Sequence, residues 1–268
     1  MTIHEGVHYI YTVQPGDTLY SIAARFGSTV QLLEQTNALY DPVTAPGLIY
    51  PGQVLVVSET GLGQRNATNY IIHPGDNLYR IARRFSTTPD LLAGMNPLLT
   101  NPSLIYPGRP LEVPAVIYEV NEGDTLFKIS RRLGVSLPSI IQANEGRIGF
   151  SPDVLFVGYR LIIPLPTSSN IVILNPWPGS RIRPGQALEG IARAFEATIL
   201  YQIRDDNDVI VTNERPITTS AGAPAYGVFS ATIQFDRQPT AAGGEIWVYA
   251  RSARDGRIID LVQLKVLF

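Results

Sequence analysis

Cysteine is absent from the 268 residues, which removes disulfides, thiolate nucleophiles and Cys-based zinc sites together. Lysine is nearly absent too: Lys128 and Lys265 stand beside nineteen arginines, a bias from which no function follows. Histidine occurs three times, as His4, His8 and His73, with no zinc-ligand spacing among them. Long apolar runs are missing. The stretches at 171–174 and 246–250 fall far short of the roughly 20 residues that cross a bilayer as a helix, so no membrane span is expected. An excess of one charge is missing as well: 21 basic and 23 acidic residues give a net charge of −2, without the basic footprint of a nucleic-acid binder. The N-terminal residues 1–6 lack the charged and then apolar regions of a secretory signal, so either a signal was removed or export is not needed.

What is present is globular in character, with 45% apolar and 16% charged residues over a length that suits one to three domains. Self-similarity organises the first part of the chain. Tyr11-x-Val13-x-x-Gly16-Asp17-Thr18-Leu19 returns as Tyr70-x-Ile72-x-x-Gly75-Asp76-Asn77-Leu78 and as Tyr118-x-Val120-x-x-Gly123-Asp124-Thr125-Leu126. An asparagine follows at a fixed distance in each copy, at Asn37, Asn96 and Asn144. The copies close on Leu48-Ile49-Tyr50-Pro51-Gly52, on Leu104-Ile105-Tyr106-Pro107-Gly108 and on a degraded Val154-Leu155-Phe156-Val157-Gly158.

Leu19, Ile22, Ala23 and Phe26 have the spacing of one helical stripe, which Leu78, Ile81, Ala82 and Phe85 repeat and Leu126, Ile129, Ser130 and Leu133 keep in a more polar form. Thr29, Thr88 and Ser136 have hydroxyls suited to capping a second helix, and Pro89 suits a first helical position. Short alternating stretches flank the helices, so each unit reads strand, helix, helix, strand. Residues 58–69 have no periodicity and read as a flexible linker, whereas the shorter junction at 114–116 should fix the second and third units more firmly.

These recurring residues resemble the LysM module, a small βααβ domain that binds N-acetylglucosamine-containing glycans. The segment from Asn96 to Gly108 resembles a subtype common in spore-forming Gram-positive bacteria. After residue 169 the pattern changes to seven extended segments, at 171–174, 187–194, 197–204, 209–213, 227–235, 245–251 and 258–268, which indicates a β-sandwich. Pro176-x-Pro178-Gly179-Ser180, Gly190-x-Ala192-Arg193-x-Phe195-Glu196, Gly227-x-Phe229 and Ser252-Ala253-Arg254-Asp255-Gly256 resemble Gmad2, an immunoglobulin-like domain that accompanies spore germination proteins. The expected fold is multidomain. Three small α+β (βααβ) modules lie at 9–58, 69–114 and 117–165, and a C-terminal all-β immunoglobulin-like sandwich at 170–268.

The LysM resemblance implies a groove between the loop after the first strand and the loop before the last. The glycan-binding candidates are Gly16, Asp17, Thr18 and Leu19 with Leu48, Ile49, Tyr50 and Pro51, then Gly75, Asp76, Asn77 and Leu78 with Leu104, Ile105, Tyr106 and Pro107. The third set is Asp124, Thr125 and Leu126 with Leu155 and Phe156. Backbone groups beside an apolar wall suit an N-acetyl sugar. Other roles compete with this one: the aspartates precede helices and can cap or close turns, the asparagines suit loop bonding, and Tyr50 and Tyr106 can be core rings. Glycine in the first loop reads as a backbone requirement.

Catalysis is not expected. A glycosidase needs two carboxyl groups across a cleft, and no such pair stands out. Residues 205–208, Asp-Asp-Asn-Asp, form the densest acidic stretch but lack the glycine and distal glutamate of a calcium loop, and read as a solvated hairpin turn. No metal or cofactor is expected. The leading expectation is a non-catalytic peptidoglycan binder of the cell wall or spore envelope, whose sandwich contacts a spore envelope protein or acts as a spacer. Its third module should bind worst. The alternatives are an envelope assembly scaffold, a binder of chitin or chitooligosaccharides, and a wall hydrolase with a cryptic site.

Overall fold

The computed structural model describes residues 2–41, 43–61 and 66–268. The chain divides into two compact units. The first comprises the chain up to Phe85 with Leu99–Ile129 and Ser136–Pro164; the second comprises Ser86–Leu98, Ser130–Val135 and Leu165–Phe268.

The repeats form the elements that their periodicity indicates. The first has β2 (Val7–Thr12), α1 (Leu19–Arg25), α2 (Val30–Asn37) and β3 (Val54–Ser58). The second has β4 (Ala67–Ile71), α3 (Leu78–Arg84), α4 (Pro89–Met95) and β5 (Pro110–Glu112). The third has β6 (Ala115–Glu119), α5 (Leu126–Leu133), α6 (Leu137–Ala143) and β7 (Arg160–Pro164). Helix α1 buries Leu19, Ile22 and Ala23 of its stripe, and α3 buries Leu78, Ile81 and Ala82. The expected hydroxyl caps are in place. Thr29 accepts from the Leu32 amide at 3.1 Å, Thr88 from Leu91 at 3.2 Å and Ser136 from Ser139 at 3.2 Å, which satisfies donors that the first helical turn leaves free.

Strand pairing in the first unit departs from the expectation of a flexible tether at 58–69, of which residues 62–65 lie outside the described residues. Strand β2 pairs antiparallel with β3 on one side and parallel with β4 of the next repeat on the other, with Val7 opposite Ala67 and Ile10 opposite Tyr70. The result is a four-stranded sheet in the order β3-β2-β4-β5. An unanticipated strand, β1 (Thr2–His4), adds to β6 and gives the order β1-β6-β7. The physical reason is edge satisfaction: a two-stranded βααβ sheet leaves unpaired backbone groups along its outer strands, and pairing between repeats satisfies them.

In the first and third repeats the recurring asparagine locks the second helix to the closing strand. The amide of buried Asn37 donates to the carbonyls of Leu33 (2.9 Å) and Val56 (2.8 Å), and its oxygen accepts from the Val56 amide at 2.8 Å. Asn144 repeats the pattern on Ile140 and Ile162. Buried Arg147 extends this lock, because its guanidinium donates to the side-chain oxygens of both Asn37 and Asn144 and stacks over Tyr159.

The second unit holds the sandwich. Its strands are β8 (Ile171–Asn175), β9 (Ala187–Ala192), β10 (Thr198–Asp205), β11 (Ile210–Thr218), β12 (Gly227–Thr232), β13 (Gly243–Arg251) and β14 (Ile258–Leu267). They form a three-stranded sheet, β12-β9-β8, and a four-stranded sheet, β11-β10-β13-β14. Alternate residues of both sheets, among them Ile173, Leu188, Ile203, Phe229, Val248 and Leu264, meet in one buried core. Helix α4 belongs to this unit and packs closely on it: a Cβ on Gly94 would lie 2.3 Å from the Tyr226 ring. The acidic stretch at 205–208 is not wholly solvated. Asp205 is buried and accepts from the amides of Asn207 (3.0 Å) and Val209 (2.9 Å) and from the amide and hydroxyl of Thr240 (2.7 Å each). Burial opposes ionisation of its carboxyl, but these hydrogen bonds outweigh burial and hold it at about 2.

Candidate functional site

The two candidate loops of each repeat are held side by side by backbone bonds next to the first strand. Val13 donates to the Gln53 carbonyl at 2.8 Å and accepts from the Gly52 amide at 2.9 Å. Ile72 does the same with Arg109 and Gly108 (3.0 and 2.8 Å), and Val120 with Tyr159 and Gly158 (2.9 and 2.8 Å). The closing glycine of each repeat is thereby fixed against the start of the first loop.

The aspartate organises that first loop. Asp17 accepts from the Tyr11 hydroxyl at 2.6 Å and from the Gln14 amide at 2.7 Å with the same oxygen. Asp76 binds the Tyr70 hydroxyl (2.8 Å) and the His73 amide (2.7 Å), and Asp124 binds the Tyr118 hydroxyl (2.5 Å) and the Asn121 amide (3.0 Å). Burial and then the neighbouring Asp17 push the Tyr11 hydroxyl up to about 12, and burial likewise raises Tyr70. Both phenols therefore stay protonated and donate. Gly16, Gly75 and Gly123 turn this loop at φ of +87°, +86° and +74°, a conformation that favours glycine. The helix caps are the next residues: the Thr18 hydroxyl accepts from the Ser21 amide (3.0 Å), the Asn77 side-chain oxygen from Arg80 (2.8 Å) and the Thr125 hydroxyl from Lys128 (3.2 Å).

The candidates thus separate into layers. Leu19, Leu78 and Leu126 are buried beneath the loops. Asp17, Asp76, Asp124, Ile49, Ile105, Leu155 and Phe156 are half-buried, and Ile49 packs against the first repeat's core. Gly16, Thr18, Pro51, Gly75, Asn77, Pro107 and Thr125 are exposed, as are Leu48 and Leu104. Tyr50 is 59% exposed and Tyr106 63%, which excludes a core role for both rings. Sequence reasoning missed a second set of exposed rings, Tyr20, Tyr79 and Phe127, at the position after the buried leucine in every repeat. The signal was available, since an aromatic recurring three times off the apolar stripe has no core to fill.

Comparison with known families matches the LysM domain three times, over residues 11–58, 70–114 and 118–164, together more than half of the chain. The chain belongs to the LysM family. Residues 170–257 match Gmad2, the immunoglobulin-like domain of bacterial spore germination. Three LysM modules followed by that domain are the multidomain architecture expected from the repeats. LysM membership implies peptidoglycan binding.

Among curated relatives, an autolysin of Enterococcus faecalis is 28% identical over 72% of this chain and 30% of its own length. N-acetylmuramoyl-L-alanine amidase sle1 of Staphylococcus aureus is 36% identical over 60% of this chain and 54% of its own. The chain therefore spans from under a third to about half the length of these relatives. Among solved structures, the spore cortex-lytic enzyme SleL of Bacillus cereus is 33% identical over 40% of this chain and 22% of its own, with a TM-score of 0.29. The expectation of a non-catalytic chain is corrected by the curated relatives, which carry the names of an autolysin and of an amidase.

Proposed function

We propose that the protein binds the glycan strands of peptidoglycan through its LysM modules and takes part in peptidoglycan hydrolysis at the cell wall or spore envelope. The observation that carries this reading is the threefold recurrence of one surface. Two loops are clamped together, Leu19, Leu78 and Leu126 are buried below the first of them, and an aromatic ring, Tyr20, Tyr79 or Phe127, stands exposed at the next position. Rings and a few oriented polar groups suit the apolar face and acetamido group of N-acetylglucosamine. The part in hydrolysis is supported by the names of the relatives, and a spore setting by the Gmad2 domain. The same loops serve chitooligosaccharides if the acetamido sugar alone is read. Attached modules act at raised effective concentration, so weak troughs suffice.

Incubation of the protein with purified sacculi tests both parts. Sedimentation with the insoluble wall and release of muropeptides or new amino termini are the expected results. A protein that stays in the supernatant contradicts binding, and intact sacculi after prolonged incubation contradict the part in hydrolysis.

A further inference from the structure

Beside the first loop of the second LysM module lies a cleft of about 650 Å³ whose wall is rich in arginine. Helix α3 supplies Arg80, Arg83 and Arg84, and the loop supplies Gly75 and Asp76. A terminal nitrogen of Arg80 lies 4.0 Å from where a Cβ on Gly75 would stand, so its guanidinium reaches over the loop. Arg80 and Arg83 are exposed and form no ion pair among the described residues. Among the described residues the Arg84 guanidinium donates to the main-chain oxygens of Ala143 (3.1 and 3.2 Å) and Glu145 (2.7 Å). Two carboxylates face the cleft, Asp76 and Glu145, and Asp76 is already engaged by Tyr70 and His73. Three guanidiniums thus stand over one engaged carboxylate and Glu145, in a chain whose net charge is −2. The fold does not require this: the equivalent positions of the first module are Ser21, Ala24 and Arg25, and Arg25 donates to the Tyr11 hydroxyl at 3.1 Å.

We propose that this cleft takes the carboxylates that peptidoglycan carries and chitin lacks, on the muramoyl residue or its stem peptide, while the adjoining Gly75–Leu78 and Leu104–Pro107 loops hold the neighbouring N-acetylglucosamine. The proposal rests on the glycan-binding reading of the second module and names the substrate class that this module prefers. A guanidinium matches a carboxylate in bidentate geometry, and an exposed anion site loses strength as salt rises. The site therefore selects by charge where the acetamido trough cannot.

The test is titration calorimetry of the intact protein and of the Arg80→Gln, Arg83→Gln double variant. The ligands, matched in length, are a chitooligosaccharide, glycan strands with stem peptides, and strands stripped of stems that keep the free lactyl carboxylate. The intact protein should prefer at least one of the two carboxylate-bearing strands to the chitooligosaccharide at low salt. That ratio should fall about tenfold in the double variant, the scale of one charge-assisted hydrogen bond. Preference for the stripped strand would place the recognised carboxylate on the lactyl group, and preference for stems alone would place it on the peptide. A preference ratio that is equal in both proteins, or insensitive to salt, overturns the proposal while leaving glycan binding intact. Absence of binding to every ligand removes the glycan reading and this proposal with it.

Discussion

At the scale of single residues, a few buried polar side chains carry more than the apolar pattern suggests. Asn37 satisfies three backbone groups and accepts from Arg147 at 3.0 Å, so Asn37→Ala strands buried partners. The expected cost is about 2–4 kcal/mol, measured by chemical denaturation. His8 is buried, with Nδ1 2.9 Å from the Ser58 hydroxyl and Nε2 3.2 Å from the His4 carbonyl. Burial is the main cause that lowers its pKa from 6.5 to about 4, against the opposing His4 hydrogen bond. The unfolded chain therefore takes up this proton first, and stability falls as pH drops from about 6.5 toward 4, by about 3 kcal/mol once both states are protonated. His4, also lowered by burial, acts with the same sign. Denaturation midpoints between pH 7 and 4 should show this loss and a flatter profile for His8→Asn; equal profiles contradict it. A structural role for the asparagine was legible because one residue type recurs at one spacing, but its bonds join Leu33 of α2 to Val56 of β3 and do not go to the loop that was expected. His8 was not legible, because its burial depends on a strand at the chain's beginning that nothing local announces.

At the scale of elements, helices and strands were legible where their causes are local. The stripe of Leu19, Ile22 and Ala23 and the hydroxyls of Thr29, Thr88 and Ser136 act within one turn of chain, and the structure puts them where the pattern does. Pairing of β2 with β4 and of β1 with β6 was not legible, because strand edges find partners by topology and not by composition. Amides of β4 that face β2 should exchange as slowly as those in the rest of the sheet; rapid exchange there would restore the picture of a loose tether. Helix α4 offers a test in which two effects oppose. Replacing Gly94 by Ala favours the helix by about 1 kcal/mol, but the added carbon meets the Tyr226 ring, and overpacking costs about 1–3 kcal/mol. A net loss of stability is expected in thermal unfolding of Gly94→Ala, and a gain would mean that α4 is not seated on Tyr226.

At the scale of the whole molecule, the chain repeats one surface three times and adds a sandwich of another family. Repetition made the candidate loops readable, since glycine, aspartate and leucine recur for backbone and packing reasons. The exposed rings Tyr20, Tyr79 and Phe127 escaped notice because a stripe analysis follows the buried face and passes over its neighbours. The central claim is that the exposed faces of the first two modules hold acetamido sugars. Calorimetric titration of the intact protein with an N-acetylglucosamine oligomer, beside the Tyr50→Ala, Tyr106→Ala double variant, tests it most directly. Both tyrosines are exposed, so folding should be unchanged. Saturable binding that weakens about tenfold or more in the variant is the expected result. Equal affinity in the two proteins, or no heat of binding in either, would contradict the claim.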